Sequence, residues 1–145
     1  TYDFIRGLIV GEGCFTFHTS GEPDKIGNKR RTPTFVISLS RQDKELLYQV
    51  KDKLKLHNKI HEYERKPTWN SHNKQPMMVL MVRDIGQLKN IIVPLCYKKL
   101  AGNKAKQFDE WIKEIGINPL VGDGYKILHK LYTSGFYDKN LSFLD

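Results

Sequence analysis

The sequence predicts an α+β domain in the order αββαββα, with an antiparallel, saddle-like sheet on one side and helices packed on the other. Segments of alternating apolar and polar residues, typical of half-buried strands, occur in two pairs. A segment with the apolar spacing of a helix precedes each pair. A length of 145 residues suits one domain, so we expect residues 1–145 to form a single unit.

The first αββ unit begins with a helix over Tyr2–Gly11, which ends in a glycine-flanked stop. A strand over Cys14–Ser20 follows, with Phe15 and Phe17 on its inner face. We expect residues 21–33 to form a long polar connection. The second strand is predicted over Thr34–Ser40, where apolar residues again alternate with polar ones.

The second αββ unit begins with a helix over Asp43–Leu56, whose apolar residues fall on one face. The spacing then predicts a strand over Lys59–Lys66, a loop over Pro67–Pro76 and a strand over Met77–Arg83. Hairpins from consecutive αββ units usually join into one antiparallel sheet with helices on one face.

Helices complete the predicted order. We expect one over Ile85–Val93, stopped by Pro94, another over Asn103–Ile115, and a last one over Tyr125–Leu131.

The charge indicates a polyanionic partner. Lysine and arginine number 24 against 16 acidic residues, which gives a net charge of +8 at pH 7. Neutralising phosphates with such cations releases counterions and supplies most non-specific affinity for nucleic acid. A twisted sheet with a polar, basic open face can enter the major groove.

Cysteine usage and hydropathy exclude several classes. Cys14 and Cys96 lie far apart without a metal-binding spacing, which favours a reduced intracellular protein, although a Cys pair stays open. No apolar run approaches the length of a membrane span, so we expect no membrane partner. Localisation in a bacterial cytoplasm, a chloroplast or a mitochondrion stays unresolved.

The first helix carries an unusual combination of residues. Gly7 and Gly11, four positions apart, form a stripe that lets two helix backbones approach closely, although each glycine costs a helix about 1 kcal/mol. Glu12 follows at the helix C-terminus, where the dipole disfavours an anion, so an offsetting cation is expected. Gly13 allows a tight exit into the first strand.

The segment Ile5–Phe15 resembles the motif of the LAGLIDADG homing endonucleases. Leu100–Trp111 is similar to a later segment of that family, in which a lysine opens a helix that ends in an acidic-aromatic pair. The resemblance implies a site-specific endonuclease of the single-motif type, whose sheet faces double-stranded DNA. It also implies cleavage of both strands across the minor groove, and an intron-encoded origin.

The resemblance implies roles at matching positions only. Glu12 would ligate the metal beside the Gly11 carbonyl, and Lys104 would polarise a metal-bound water or stabilise charge on the phosphate. The implied cofactor is Mg²⁺ or Mn²⁺, with Ca²⁺ as a non-catalytic substitute.

One Glu12 per chain is too little to hold the metals that phosphodiester hydrolysis calls for. We therefore expect a homodimer, the commonest oligomer, packed through Gly7, Leu8 and Gly11, on a palindromic or nearly palindromic site. The competing hypothesis is that the chain is half of a longer protein with two motifs.

Outward side chains of the strands and cations of the first hairpin should contact DNA. The candidates are Thr16, His18, Ser20, Asn28, Lys29, Arg30, Arg31, Thr34, Ser38, His61, Tyr63 and Arg65.

Two other functions would use the same sheet and charge. One is a binding module, either a maturase that folds intron RNA or a repressor that has lost catalysis. The other is an unrelated basic α+β protein, which would be a monomer.

Overall fold

Four strands pair into one antiparallel sheet in the order β1–β2–β4–β3, so the two hairpins join through β2 and β4. The computed structural model describes residues 1–21, 27, 29–64 and 76–145. The strands are β1 (Gly13–Ser20), β2 (Arg30–Ser40), β3 (His61–Tyr63) and β4 (Met77–Val82). The α+β class and the antiparallel sheet predicted from the sequence are confirmed.

Helices precede, separate and follow the strands. They are α1 (Tyr2–Glu12), α2 (Lys44–Lys53), α3 (Ile85–Gln87), α4 (Val93–Cys96), α5 (Gly102–Ile117), α6 (Lys126–Thr133) and α7 (Phe136–Lys139). None of the helices in the described ranges is long and apolar enough to cross a bilayer.

The core lies between one face of the sheet and the helices. Paired residues of antiparallel strands share a face, so Phe15, Phe35 and Val82 lie in one row on the helix side. Phe35 is fully buried, and its ring centroid lies 5.3 Å from that of Phe15, which also contacts Phe108 and Trp111 of α5. Helix α5 is thereby fixed against the start of β1.

Strand β2 begins four residues earlier than predicted, since residues 30–33, assigned to a connection, pair with β1. Pro33 disfavours a strand because it lacks an N–H. The Arg31 N–H points away from β1 and donates to Leu120 O at 3.0 Å. Two residues on, the Pro33 nitrogen points to the same side, and pairing with β4 starts only at Phe35. The missing donor therefore costs no ladder hydrogen bond.

Pro94 does not stop the helix that precedes it, so that prediction is wrong. The chain stays helical from Ile85 to Cys96 through a π-helical segment, Leu88–Ile92. A proline leaves a preceding carbonyl without its helical donor. The Tyr137 hydroxyl donates to Lys89 O at 2.8 Å, so a side chain of α7 satisfies a carbonyl in this segment.

Other boundaries differ by a few residues. Helix α2 ends at Lys53 instead of Leu56, because Lys55 adopts a left-handed conformation (φ 57°) that ends the helix. Strand β3 is shorter than predicted, and Ile60, expected inside it, is buried just before it. The short helix α7 was not predicted.

The C-terminal residues hold the N-terminal end of α1. Both carboxylate oxygens of Asp145 accept backbone hydrogen bonds, from Tyr2 N at 2.9 Å and Asp3 N at 2.8 Å. These bonds lower the pKa of Asp145. Arg6, only 4% exposed, donates to Leu95 O at 2.8 Å and to Phe143 O at 2.5 Å. Helix α1 is therefore anchored at a fixed angle to the sheet.

Candidate active site and nucleic-acid interface

The C-terminal end of α1 presents an exposed carboxylate. Glu12 is the last residue of the helix, and the chain enters β1 at Gly13. Within the described ranges, no hydrogen bond or ion pair occupies the Glu12 side chain. Because the final carbonyls of a helix also lack intrahelical donors, this end concentrates oxygen atoms that suit a hard cation.

Gly13 is required for space and not for its backbone angles. Its φ and ψ of −80° and 158° are extended, which any residue adopts. A Cβ at this position would lie 2.8 Å from the Ile9 carbonyl oxygen, and the Gly13 N–H donates to that same oxygen. The glycine thus allows Glu12 to lie directly at the junction of helix and strand.

Lys104 lies beside the same junction. It is in the first turn of α5, and its Nζ donates to Gly13 O at 2.5 Å and to Gln107 Oε1 at 3.0 Å. Trp111, two turns further, donates from Nε1 to Thr16 O at 2.8 Å and fixes α5 along β1. The structure therefore brings the end of α1 and the Lys104 ammonium together, as a joint site requires.

No group of three or more metal-ligating side chains forms within the part of the chain that the structure describes. Glu12 with neighbouring carbonyl oxygens is a chemically suitable half-site for Mg²⁺ or Ca²⁺, both of which take oxygen ligands. These groups supply only part of the coordination sphere that such an ion takes.

The outward face of α1 carries no side chain bulk at two positions. Apart from the backbone of its own helix, a Cβ added at Gly7 or Gly11 would meet no atom of the described residues within 4 Å, so packing among those residues does not require glycine at either position. Leu8 is half-buried between them, and Phe4 on the same side is 56% exposed. The face is therefore free for a partner.

The sheet face opposite the helices is mostly polar along β1, β2 and β3, whereas β4 contributes Met77, Val79 and Met81 to it. Of the predicted contact residues, Thr16, His18, Thr34, Ser38, His61 and Tyr63 belong to this open face, given the register of the strands. Thr34 is only 2% exposed, and its hydroxyl donates to Thr32 O at 3.0 Å. His18, His61 and Tyr63 are exposed.

The cations of the first hairpin diverge. Arg30, paired with Ser20, lies at the end of the open face, and Lys29 is exposed just before it. Arg31 points to the helix side instead: its guanidinium lies over the Phe17 ring at 4.5 Å, with NH1 3.5 Å from Glu114 Oε1. Alternation explains this, because Arg31 has the same parity as Phe35.

Asn28 and Arg65, which were also predicted contacts, lie outside the described residues, and the side chain of Ser20 is likewise not described.

One basic pocket was not predicted. It has a volume of about 290 Å³ and is lined by Asn58, Lys59, His61, Met81, Arg83 and Asp84. His61 and Met81 place it on the open face, next to β3. The alternation of Met77, Val79, Met81 and Arg83 along the fourth strand was the signal for an outward Arg83.

A helix-backed antiparallel sheet with one face left open by the helices, and a carboxylate where the first helix meets the first strand, define the class of this α+β domain. The family model described as LAGLIDADG endonuclease matches residues 5–115, most of the chain. The chain belongs to this family, and the resemblance stated from the sequence is confirmed. No curated protein sequence matches it.

Solved structures with the same fold include two bound to DNA. They are the LAGLIDADG meganuclease I-CpaMI bound to uncleaved DNA (19% identity, TM-score 0.63) and the LAGLIDADG homing endonuclease I-GzeII in complex with its DNA target (23%, 0.60). The matches cover 92% and 100% of this chain, but only 44% and 46% of those chains. The homing endonuclease I-TnaI matches at 21% identity and a TM-score of 0.60, over 92% of this chain and 86% of its own.

Proposed function

We propose that residues 1–145 form one LAGLIDADG homing endonuclease domain, which pairs with a second copy to bind double-stranded DNA and hydrolyse both strands. The observation that carries the proposal is the junction of α1 and β1. There an exposed Glu12 carboxylate without a partner among the described residues lies beside Lys104, at the edge of a polar sheet face.

Glu12 and the Gly11 carbonyl are the proposed ligands of a divalent ion. The fit rests on donor chemistry, since both groups supply the oxygen atoms that Mg²⁺ and Ca²⁺ prefer. When bound, Mg²⁺ or Mn²⁺ would activate the attacking water and stabilise the leaving oxygen. A structure of the relative I-SmaMI with uncleaved DNA contains calcium ions, which supports the idea that Ca²⁺ permits binding without cleavage.

Lys104 is proposed to stabilise negative charge that develops on the scissile phosphate. Its Nζ is held by Gly13 O and Gln107 Oε1, so the ammonium does not have to be ordered when DNA arrives. Such a preorganised cation contributes most where water is excluded.

Two copies are proposed to pack through Gly7, Leu8 and Gly11. A Cβ built at either glycine would meet no described atom within 4 Å outside its own helix, which supports this proposal, because a second helix backbone could then approach closely. A two-fold axis between the helices would bring two Glu12 side chains together and would favour a palindromic site.

The open sheet face is proposed to read the bases in the major groove. Thr16, His18, Ser38, His61 and Tyr63 belong to it, and Arg30 and Lys29 extend it at the hairpin end. Arg31 is left out, because it pairs with Glu114 on the other side.

The test is cleavage by Glu12→Gln, which removes the charge and keeps the shape. A randomised duplex library would first supply a site that the wild-type protein cuts with Mg²⁺. We expect the variant to cut it at least about 10²-fold more slowly while binding it with similar affinity. Glu45→Gln, an exposed glutamate on α2, is the matched control and should cut normally. Wild-type cleavage by the Glu12→Gln protein would refute the role of this carboxylate.

A further inference from the structure

The guanidinium of Arg83 has unused hydrogen-bonding capacity. Its Nε is buried and has no hydrogen-bond partner among the described residues. One terminal nitrogen, NH2, lies 3.4 Å from the Met81 sulfur, which is a weak acceptor. A charged donor that is desolvated without an acceptor is costly, so a partner from outside is expected.

The backbone around Arg83 is fixed while its side chain lacks a strong acceptor. The Tyr125 hydroxyl donates to Arg83 O at 2.6 Å, which ties the end of β4 to the segment before α6. A substitution of the Arg83 side chain leaves this bond in place, so the pocket can be tested without removing the contact.

Two polar side chains of the pocket, Asn58 and Asp84, already have hydrogen-bond partners. Asn58 donates from Nδ2 to Met81 O at 2.9 Å and accepts from Gln87 Nε2 at 2.6 Å. Asp84 accepts from Gln87 N at 3.0 Å at the start of α3. The side-chain hydrogen-bond donors without a partner among the described residues belong to Lys59, His61 and Arg83. The first two of these side chains are exposed.

The charge of the lining favours an anion. Lys59 and Arg83 together carry two positive charges and Asp84 carries one negative charge, which leaves one positive charge with His61 neutral. Lys59 and Arg83 are cationic donors, which bind phosphate oxygens strongly, and the net positive charge of the lining favours that partner. The other partner open to an arginine, the O6/N7 edge of guanine, is an outcome that the test distinguishes.

We propose that Arg83, with Lys59 beside it, binds one backbone phosphate of the nucleic acid that lies on the open face. The inference rests on the proposed function, since it assumes that duplex DNA occupies that face. Met81 and His61 connect the pocket to the face, so a duplex there passes within reach of the guanidinium. The contact positions the duplex along β3 and β4 without reading its sequence.

The experiment measures the affinity for a short duplex of arbitrary sequence over a range of salt concentrations. For Arg83→Gln we expect weaker binding at low salt and a slope of log affinity against log salt that is smaller by about one. Arg83→Lys keeps the charge and should keep most of the slope. Lys113→Gln, which removes an exposed cation of α5 on the helix side, should leave the slope unchanged. Thermal unfolding of each variant verifies that it is folded.

Three results would overturn the inference. One is an unchanged slope of log affinity against log salt for folded Arg83→Gln. Another is an equal decrease of this slope in Lys113→Gln, which would show that the effect comes from net charge alone. A third is a loss confined to particular sequences with the slope retained, which would assign Arg83 to a base edge. A wild-type protein that binds no duplex at low salt would overturn the proposed function as well, so the two failures are distinguishable.

Discussion

The presence of glycine at three positions in the α1 region has different physical explanations. Gly13 is enclosed by the last turn of its own helix, since a Cβ there would collide with Ile9 O and the Ile9 side chain. Gly7 and Gly11 face open space, and the fold of the single chain would be more stable with alanine at either position. The proposed contact with a second chain would account for Gly7 and Gly11, whereas Gly13 is explained by a contact inside the chain.

Alanine substitutions should separate these reasons. We expect Gly13→Ala to lower the free energy of unfolding by about 1–3 kcal/mol, because the colliding Ile9 oxygen belongs to the backbone and cannot move without disturbing the helix end. Gly11→Ala, the matched control, should raise the stability of the dilute monomeric chain by up to about 1 kcal/mol. Urea denaturation measures both. Equal effects of the same sign would contradict the distinction.

Which residues form the site could be inferred partly from the sequence. The positions of Glu12 and Lys104 follow from a local motif, and alternation along each strand assigns His18, Ser38 and His61 to the open face. Arg31 was assigned to a connection, so alternation was not applied to it, and its ion pair with Glu114 depends on a residue far along the chain. The Arg83 pocket likewise depends on a hydrogen-bond network between separate elements.

At the scale of elements, contacts with distant residues hold the N-terminal part of α1, and its C-terminal end carries the exposed Glu12. Arg6 connects the helix to Leu95 O on α4 and to Phe143 O near the C-terminus, and Asp3 lies 2.7 Å from its NH1. The T-shaped contact of Tyr2 with Phe143, 5.2 Å between ring centroids, adds to this anchor. The direction of α1, and with it the position of Glu12, depends on residues more than 80 positions away.

Arg6→Met tests this anchor. The methionine fills a similar length but donates no hydrogen bonds, so the carbonyls of Leu95 and Phe143 lose their donor. We expect a loss of about 2–4 kcal/mol of stability, more than a single hydrogen bond contributes. Chemical denaturation gives the value, and Lys113→Met, on the exposed surface of α5, serves as control. A change below about 0.5 kcal/mol would show that α1 is not held by this residue.

The elements themselves were largely predictable because periodicity is a local property. Two prolines are the clearest exceptions. At each of them a local rule disfavours the observed structure, and the arrangement of distant residues removes the energetic cost. Pro33 lies beyond the end of β4, and the Tyr137 hydroxyl donates to a carbonyl in the helical stretch before Pro94. Neither the extent of β4 nor the Tyr137 hydrogen bond can be inferred from the residues next to the prolines. Strand β2 is therefore longer than the sequence predicts, and the helical stretch ends later.

At the scale of the whole molecule, the chain supplies half of what the proposed chemistry requires. It has one Glu12, one exposed glycine face on α1 and one open sheet face. It also spans 44% of the I-CpaMI chain and 46% of the I-GzeII chain. A pair of chains would carry a net charge of +16, twice +8, over the DNA. Pairing through α1 is therefore the central claim.

Sedimentation equilibrium of the wild-type protein and of Gly7→Leu tests this claim most directly. Beyond the backbone of its own helix, a Cβ at position 7 meets no described atom within 4 Å, and leucine favours a helix, so the monomer fold should be kept. We predict twice 16.9 kDa for the wild-type protein and 16.9 kDa for the variant, which should also lose cleavage. A wild-type protein that is monomeric under conditions where it cuts DNA, or a Gly7→Leu protein that remains dimeric, would contradict the account.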